Sequence, residues 1–347
     1  MPGRLVGACR AREARVGLRN DCAPSYTVTL MHGNCMRHVS TTGHAEARVA
    51  VETRCNADAA AASRPPPTAS GSARSFADLF ATQAQDYARF RPSYTSNIYA
   101  SIEAYAAAHG TGTRELAADI ACGSGQAGAD LAKLYTRVVG VDASPEQVAQ
   151  APPVPNMTYG LGTAERTPLH DASCDLVAVA QALHWFDLPR FYTEAHRILK
   201  PRGTLAVWCY ATGRLEGSDD ADGDERATQA LLHVYDGILG PHWDARRALV
   251  DAEYEGMEPC APLWTRVERH HMFMTKRWPL SHVIGYVRTW SAYNTYLKRH
   301  DIVQGRPGDP ALPLLQALLQ AYRTKDTERE VVMTWPVGLL LATRSSV

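Results

Sequence analysis

From residue 116 onward, short runs of apolar residues alternate along the chain with longer stretches that mix polar and apolar positions. Nearly continuous apolar runs of this length are typical of strands that a parallel sheet buries on both faces. The runs predict five strands, at residues 116–121, 138–142, 157–160, 174–180 and 204–210. Because helical segments separate these runs, the pattern indicates an α/β fold with an open, doubly wound sheet and helices on both faces.

The segment between the fourth and fifth runs carries the clearest helix signals. Asp187 can cap a helix, Pro189 suits its first turn, and apolar residues within 191–199 recur on one side. The Lys-Pro-Arg-Gly sequence at 200–203 then ends the helix. Ligands of such a fold bind outside the carboxyl ends of the strands, so function is expected at the residues that end each strand.

The pattern changes after the fifth predicted strand. Residues 211–305 are rich in Asp, His, Trp, Tyr and Arg, and stretches such as 227–239 predict a helical cap insertion over the strand ends. The C-terminal part, about 306–347, is predicted to contain a helix at 311–323 and a strand at 331–343.

The first 75 residues differ in composition from the rest of the chain. They contain ten Arg, no Lys, a single aromatic residue and a net charge of +5, and Ala, Pro and Ser dominate residues 59–73. Such a stretch buries too little apolar surface to offset its chain entropy, so residues 1–75 are expected to be a disordered arm and linker. The Arg and Ser content also resembles an organelle transit peptide, and whether the arm is cleaved stays open. The folded domain is expected at 76–347, with its ligand-binding core at about 76–210.

Composition narrows the function classes. The 347 residues carry 36 Lys plus Arg and 36 Asp plus Glu, a balance that does not favour a dedicated nucleic-acid binder. No apolar run reaches the length of a membrane span, and eight scattered cysteines suggest reduced thiols rather than a disulfide scaffold. His270, His271 and His282 lack a carboxylate or Cys at ligand spacing, so no metal is predicted. We therefore expect a cytoplasmic protein with a small-molecule partner, with organelle import by the arm as an alternative.

A glycine-rich loop follows the first predicted strand. Its sequence, Gly-Ser-Gly-Gln-Ala-Gly at 123–128, matches the G-x-G-x-x-G pattern, and Asp142 ends the next strand, where a carboxylate can accept both hydroxyls of a ribose. These features suit any adenosine cofactor, including a dinucleotide. Asp119, inside the first strand, distinguishes between them. A carboxylate about 4 Å from a pyrophosphate is repelled by roughly 4 kcal/mol, whereas the cationic S-adenosylmethionine would be attracted.

Five segments resemble, in order, the motifs of class I S-adenosylmethionine-dependent methyltransferases. They are Asp-Ile-Ala-Cys-Gly-Ser-Gly-Gln at 119–126, Val-Gly-Val-Asp-Ala-Ser at 139–144, Gly-Thr-Ala-Glu-Arg-Thr-Pro at 162–168, Ser-Cys-Asp-Leu-Val at 173–177 and Arg-Ile-Leu-Lys-Pro-Arg-Gly at 197–203. The family pattern implies a seven-stranded, mostly parallel Rossmann-like sheet. Ala121 stands where the family has a glycine, so the loop is expected to open slightly differently there.

Further segments resemble the type 11 group that is similar to trans-aconitate methyltransferase. They are Tyr-Ala-Arg-Phe-Arg-Pro-Ser-Tyr at 87–94, Gln-Ala-Leu-His-Trp-Phe at 181–186 and Thr-Trp-Ser-Ala-Tyr at 289–293. The resemblance implies that an opening helix covers the methionine end of the cofactor. The residues that the two resemblances assign to S-adenosylmethionine are Tyr87, Arg91, Asp119, Ala121, Gly123, Ser124, Gly125, Gln126, Asp142, Ala143, Ser144, Ala164, Glu165 and Gln181.

The implied reaction is in-line methyl transfer to a small molecule, such as a carboxylic acid, in which the protein mainly positions the acceptor. His184 is the candidate general base for an acceptor that needs one, with packing as the other interpretation. Candidate acceptor contacts are Trp185, Trp243, Arg246, Trp290 and Tyr293, with Arg247 beside them. Two alternatives stay open: a catalytically silent, methyltransferase-like partner subunit and an NAD(P)-dependent oxidoreductase.

Overall fold

The computed structural model describes residues 27–32, 35–40, 89–219 and 221–346. The chain divides into two compact units, Met1–Gly71 and Ser72–Val347. In the first unit, strands β1 (Thr27–His32) and β2 (Cys35–Ser40) form an antiparallel hairpin. This hairpin is regular structure that the composition did not predict. The remainder of the predicted arm lies outside the described residues, so the interpretation of residues 1–75 as a whole stays a prediction.

The second unit is built on one large sheet. Its strands are β3 (Leu116–Ile120), β4 (Arg137–Asp142), β5 (Met157–Leu161), β6 (Cys174–Ala180), β7 (Leu199–Tyr210), β8 (Arg214–Glu216), β9 (Trp264–Pro279) and β10 (Glu330–Arg344). The order is β5-β4-β3-β6-β7-β10, and both β8 and β9 pair with β10. Strands β3 to β7 are parallel to one another, whereas β10 is antiparallel to β7, β8 and β9. The predicted α/β fold with a mostly parallel sheet is therefore confirmed.

Strand β9 corrects one part of the prediction. Sequence analysis placed residues 264–279 in a helical cap, but they form a strand that pairs with β10 along almost its whole length. Its only described partner strand is β10, and most of its side chains are exposed or half-buried, so its sequence lacks an apolar run. Seven strands lie side by side across the sheet, as expected. The short β8 is an eighth strand; it pairs with β10 along the same edge as β7.

Helices cover both faces of this sheet. They are α1 (Ser96–His109), α2 (Gln126–Leu131), α3 (Pro145–Gln150), α4 (Leu188–Ile198), α5 (Ala221–Leu232), α6 (Arg247–Asp251), α7 (Leu280–Arg288), α8 (Ser291–Arg299) and α9 (Ala311–Ala321). Helix α4 begins as predicted, because the Asp187 side chain accepts a hydrogen bond from the backbone N–H of Arg190 at 3.3 Å. None of the helices in the described ranges combines the length and apolarity needed to cross a bilayer.

The core lies on both faces of the parallel strands. In β6, Leu176 belongs to one hydrophobic cluster and Val177 to the other, and both are fully buried. Alternate side chains of a strand point to opposite faces, so both faces of β6 are covered. The sheet is thereby a rigid platform, and only its strand ends are available to a ligand.

Asp175, near the start of β6, fixes the start of β3 beside it. Burial alone would raise the pKa of this carboxyl, but hydrogen bonds outweigh that effect and lower it to about 2. The donors are the hydroxyls of Thr111 and Thr113, the backbone N–H groups of Glu115 and Leu116, and the ammonium of Lys200.

We predict that Asp175→Asn lowers the free energy of unfolding by about 2–4 kcal/mol, because an amide cannot accept from the same donors. Urea denaturation measures this change. The control is Glu115→Gln, whose side chain is 68% exposed and also pairs with Lys200; we expect a loss below about 1 kcal/mol. Since the pKa is lower in the folded chain, the Asp175 contribution is complete above about pH 4 and declines toward pH 2. Equal stability of Asp175→Asn and wild type at pH 7 would contradict the assignment.

Candidate functional site

A cleft of about 340 Å³ opens where β3, β4 and β6 end. This is the position at which a doubly wound sheet binds ligands. Eight of the residues predicted from the sequence line it: Asp119, Ala121, Gly123, Ser124, Gln126, Asp142, Gln181 and Trp185.

The three glycines of the loop have different tasks. Gly123 has φ +55°, and a Cβ at this residue would meet only the Gln147 side chain at 3.8 Å, so the backbone faces open space beside the cleft. Gly125 has φ +85°, and a Cβ there would lie 2.5 Å from the Tyr159 hydroxyl. A Cβ at Gly128 would lie 2.2 Å from Met157 Cε, so this glycine lets α2 pack closely on β5. Gly123 therefore leaves room for a ligand, and the other two position the helix.

Asp119 is a buried carboxylate at the end of β3. It is 0% exposed, and neither carboxylate oxygen has a hydrogen-bond partner of ordinary geometry in the described part of the chain. The pKa of Asp119 is raised to about 7: burial is the main cause, the Gly128 N–H offsets part of its effect, and the nearby charge of Asp142 adds to it. An uncompensated carboxylate in the wall of a cleft favours a cationic ligand.

Asp142 is held at the end of β4 by backbone donors. One of its carboxylate oxygens accepts from the N–H of Gly123 at 2.8 Å, and the other accepts from the N–H of Ser144 at 2.9 Å. Each oxygen keeps lone pairs for a further donor, which suits a diol. Ala143 and Ser144 do not line the cleft; the Ser144 hydroxyl instead caps α3 by accepting from the N–H of Gln147 at 3.2 Å.

Two residues at the cleft have strained backbones. Ala121 and Gln181, which follow the adjacent strands β3 and β6, have φ of +55° and +57°. Ala121 thus takes the left-handed conformation that glycine favours, so the replacement of the family glycine appears as strain at this position. Strained residues of this kind persist where the surrounding structure holds them, and they cluster at functional sites.

Gln181 acts through its side-chain amide on the end of β7. The amide donates to the carbonyl of Tyr210 at 3.0 Å, and its oxygen accepts from the Tyr210 N–H at 2.8 Å. The Tyr210 hydroxyl in turn accepts from Arg91 at 3.2 Å, and Arg91 also donates to the carbonyl of Thr289 at 3.2 Å. Arg91 therefore ties the segment before α1 to β7 and to the end of α7, and it does not line the cleft described above.

Two further residues assigned to the cofactor, Ala164 and Glu165, do not line the cleft. Ala164 is 8% exposed and packs in the core. The Glu165 carboxylate accepts from the backbone N–H of Asp187 at 3.0 Å, just before α4. Tyr87 lies outside the described residues. The adenine-binding role of Ala164 and Glu165 stays a prediction.

His184 follows β6 and contacts the cap. Its Nδ1 lies 2.8 Å from the hydroxyl of Tyr254. Burial, together with the positive charges of Arg247 and Arg246, lowers the pKa of His184 to about 4. The imidazole is therefore neutral near pH 7.

The predicted acceptor residues separate into two groups. Trp185 is 55% exposed in the cleft wall, and the Arg246 guanidinium lies 4.8 Å from the centre of its ring. Trp243 packs 5.8 Å from Trp290, which is 2% exposed. Tyr293 is 0% exposed and donates to Asp309 at 3.0 Å. The second group belongs to the packed interior of the cap, which gives these side chains a structural role here.

Arg247 belongs with the structural group as well. Its guanidinium contacts the hydroxyl of Tyr235 and pairs with Asp251 at 3.0 Å. It also stacks on Trp243 at 5.0 Å. Of the two adjacent arginines, Arg246 is the more accessible to a ligand: its side chain is 52% exposed against 19% for Arg247, and its own ion pair, with Asp244, is longer at 3.9 Å.

Sequence reasoning missed six residues of the cleft: Tyr94, Cys122, Ala127, Gln147, Ala180 and Ala182. Four of them lie inside or beside the glycine loop and the 181–186 motif, and Tyr94 ends the opening motif. Their position in the sequence, next to predicted site residues, could have indicated that they lie at the cleft. Gln147, in α3, carried no signal of its own. Within the described ranges, no cluster of three or more His, Cys, Asp or Glu side chains is arranged to hold a metal ion.

Comparison with known proteins identifies relatives of this chain. A family model described as a methyltransferase domain matches residues 118–207. A candidate methyltransferase from Dictyostelium discoideum is 32% identical over 268 residues, which cover 77% of this chain and 95% of the relative. The solved structure of a candidate type II methyltransferase from Anaeromyxobacter dehalogenans is 31% identical, with a TM-score of 0.60 over 73% of this chain and 97% of that one. Methyltransferase cfoB of Aspergillus candidus is 28% identical over 211 residues, 56% of this chain and 66% of its own.

We predict that Ala121→Gly raises the free energy of unfolding by about 0.5–1 kcal/mol. The left-handed conformation costs Ala roughly 1–2 kcal/mol, more than the 0.5–1 kcal/mol that glycine loses in chain entropy. Ala117→Gly, in the extended interior of the same strand, is the matched control and is expected to destabilise the chain. A loss of stability for Ala121→Gly in urea denaturation would show that the backbone at this residue is not strained.

Proposed function

The chain belongs to the class I S-adenosylmethionine-dependent methyltransferases, and from this premise we propose that it methylates a small carboxylic acid held beside Trp185 and Arg246. Family membership replaces the oxidoreductase alternative that the glycine loop left open. The names of the three relatives described above give no acceptor, and the likeness to trans-aconitate methyltransferase rests on the sequence motifs alone. The chemistry of the side chains around the cleft therefore indicates the acceptor class.

The residues of the cleft fit the methyl donor. Asp119 offers a buried negative charge without a partner to the cationic methionine part. Asp142 offers two fixed acceptor oxygens to the ribose hydroxyls, and the open backbone at Gly123 allows close approach. Bound S-adenosylmethionine supplies a methyl group on a positively charged sulfur, which is already a good leaving group. The observation that carries the assignment is the orphan carboxylate of Asp119.

The chain's own part in the reaction is to position the acceptor and exclude water. A carboxylate is ionised at neutral pH, so one of its oxygens can form the new O–CH₃ bond as the C–S bond breaks, and no proton moves. A phenol or carbon acid would need an effective base, and the pKa of His184 near 4 makes it a weak one. The exposed Arg246 guanidinium can hold a carboxylate beside the Trp185 ring. These features support an acidic acceptor.

We predict that Asp119→Asn weakens the binding of S-adenosylmethionine about 10- to 100-fold, the effect of removing one charged partner. Isothermal titration calorimetry measures it, with NADH as a ligand expected not to bind. Adenosine, which lacks the methionine part, is the control and should bind wild type and variant alike. Equal affinity of both proteins for S-adenosylmethionine would refute the role of Asp119.

The same carboxyl gives the binding a pH dependence. With a pKa of about 7, Asp119 is mostly protonated at pH 6 and mostly ionised at pH 8. A cation binds the ionised form, so the affinity of wild type relative to Asp119→Asn is expected to fall about tenfold from pH 8 to pH 6. A constant ratio would show that Asp119 does not titrate in this range.

We predict that Arg246→Ala raises the KM for carboxylate acceptors about five- to tenfold, with the KM for S-adenosylmethionine unchanged. Turnover is followed by mass spectrometry of methyl esters over a panel of carboxylic acids and phenols that includes benzoate and trans-aconitate. Arg214→Ala is the matched control, because Arg214 also stacks on an exposed aromatic ring, that of Phe273. Turnover of phenols but not of acids would overturn the proposed acceptor class.

A further inference from the structure

The contact between His184 and Tyr254 joins two neutral groups. Burial holds the pKa of the Tyr254 hydroxyl well above its ordinary value, and this side chain is 1% exposed. His184 is neutral as well, so its ring carries one proton, on Nδ1 or on Nε2. The hydrogen bond at Nδ1 determines which nitrogen carries the proton, because either Nδ1 or the Tyr254 hydroxyl, 2.8 Å away, supplies its hydrogen.

The chemistry of the two groups fixes the direction of this hydrogen bond. A phenol is a good donor and a poor acceptor, whereas the bare nitrogen of a neutral imidazole is a good acceptor. If Nδ1–H donated instead, the hydroxyl hydrogen of Tyr254 would be left in a buried site without the acceptor it has now. Tyr254 therefore donates to Nδ1, and the ring proton of His184 lies on Nε2.

The Nε2–H of His184 is available to a ligand. No residue in the described ranges forms a hydrogen bond with Nε2. This nitrogen is also not one of the fully buried polar atoms without a partner, so it is accessible to solvent. The ring centre lies 5.0 Å from that of Trp185, which lines the cleft. The charged groups that act on His184 are Arg246, Arg247 and Asp244, a set with a positive excess that favours an anion beside the imidazole.

The turn that carries Tyr254 is held firmly. Glu253 and Tyr254 have φ of +53° and +61°, a strained pair that only surrounding contacts can maintain. Arg269 of β9 donates to both carbonyls, to Glu253 at 2.7 Å and to Tyr254 at 2.6 Å. Gly338 of β10 lets the turn lie close, since a Cβ there would be 2.6 Å from the Glu253 carbonyl oxygen. These contacts direct the hydroxyl at His184.

We propose that Tyr254 is a positioning residue that locks His184 in the Nε2–H tautomer, and that His184 donates a hydrogen bond to an anionic oxygen of the methyl acceptor. His184 then binds the acceptor and does not remove a proton from it, in contrast to the base role predicted from the sequence. The inference rests on the proposed methyl transfer to an acid. It adds a neutral donor to the charge of Arg246 as a determinant of acceptor class.

The tautomer can be measured without turnover. In protein labelled with ¹⁵N-histidine, the His184 signals are assigned by their loss in His184→Gln. We expect a pyridine-type Nδ1 and a pyrrole-type Nε2–H in wild type, and a mixture of tautomers in Tyr254→Phe. Tyr192→Phe is the matched control, because the buried Tyr192 hydroxyl donates to the carbonyl of Met257 and not to His184; it should leave the signals unchanged. A protonated Nδ1 in wild type would overturn the inference.

Kinetics with benzoate as acceptor test the role of the donor. His184→Gln keeps an N–H donor and is expected to stay within about threefold of wild-type KM, whereas His184→Phe should raise the KM at least tenfold with a smaller change in kcat. Tyr254→Phe should also raise the KM, and Tyr192→Phe should not. A general base would act only on an acceptor that must lose a proton; with a phenol of the same panel it predicts a 10²- to 10⁴-fold loss of kcat in both His184 variants, and no loss in Tyr254→Phe, where Nε2 is free to accept. That result would overturn the inference.

The experiments test the acceptor class and the role of His184 independently of each other. If wild type turns over no carboxylate in the panel, the acceptor class is wrong, and the nitrogen spectra still report whether Tyr254 sets the tautomer. If benzoate is methylated but the spectra show Nδ1–H, the proposed function stands and the role of His184 is refuted.

Discussion

A carboxylate buried without a partner is the constraint on which the cleft depends. Burial of Asp119 at the end of β3 is unfavourable to the folded chain whenever this group is ionised, because the N–H of Gly128 offsets only part of the effect of burial and neither oxygen has a hydrogen bond of ordinary geometry in the described part of the chain. The carboxylate of Asp175, on the neighbouring β6, shows the contrast, since five donors surround it and it serves the stability of the sheet. Two aspartates on adjacent strands thus have opposite surroundings. The uncompensated one is left for a ligand that brings the positive charge.

The parallel sheet makes this arrangement possible by being rigid at the strand ends. Ala121 and Gln181, which have left-handed backbones, follow β3 and β6, and these two strands pair up to Asp119 with Ala178. Both polar atoms of the Gln181 amide form hydrogen bonds with the backbone of Tyr210 at the end of β7. Strain and hydrogen bonding at these strand ends therefore serve the shape of the cleft, and the ligand-facing groups are the few that remain unpaired or open.

The sequence predicted those elements that are determined by interactions between residues close together in the chain. The strands from 116 to 210, the Asp187 cap and the glycine loop were readable because apolar runs, caps and glycines act within a few residues. Strand β9 was missed, since its polar sequence is stabilised by pairing with β10, more than fifty residues further along the chain. Residue type alone also gave no way to separate Arg246 from Arg247, or Trp185 from Trp290. The exposed fraction of the side chain separates them, 52% for Arg246 against 19% for Arg247, and 55% for Trp185 against 2% for Trp290, and contacts across the fold set this exposure.

His184 shows why the acceptor half of such a site resists prediction from sequence. The donor half lies almost entirely within residues 118–207, where consecutive motifs carry the chemistry and where the family model matches. The partner that fixes the proton of His184 is Tyr254, 70 residues away in the cap. Its turn is held in place by β9 and β10. A histidine next to a cleft is equally suited to accept or donate a proton, and only the group on its far nitrogen decides between the two. Contacts between the cap and the sheet therefore determine which methyl acceptor binds. A change confined to the cap is expected to alter the acceptor and to leave the methyl-donor site unchanged.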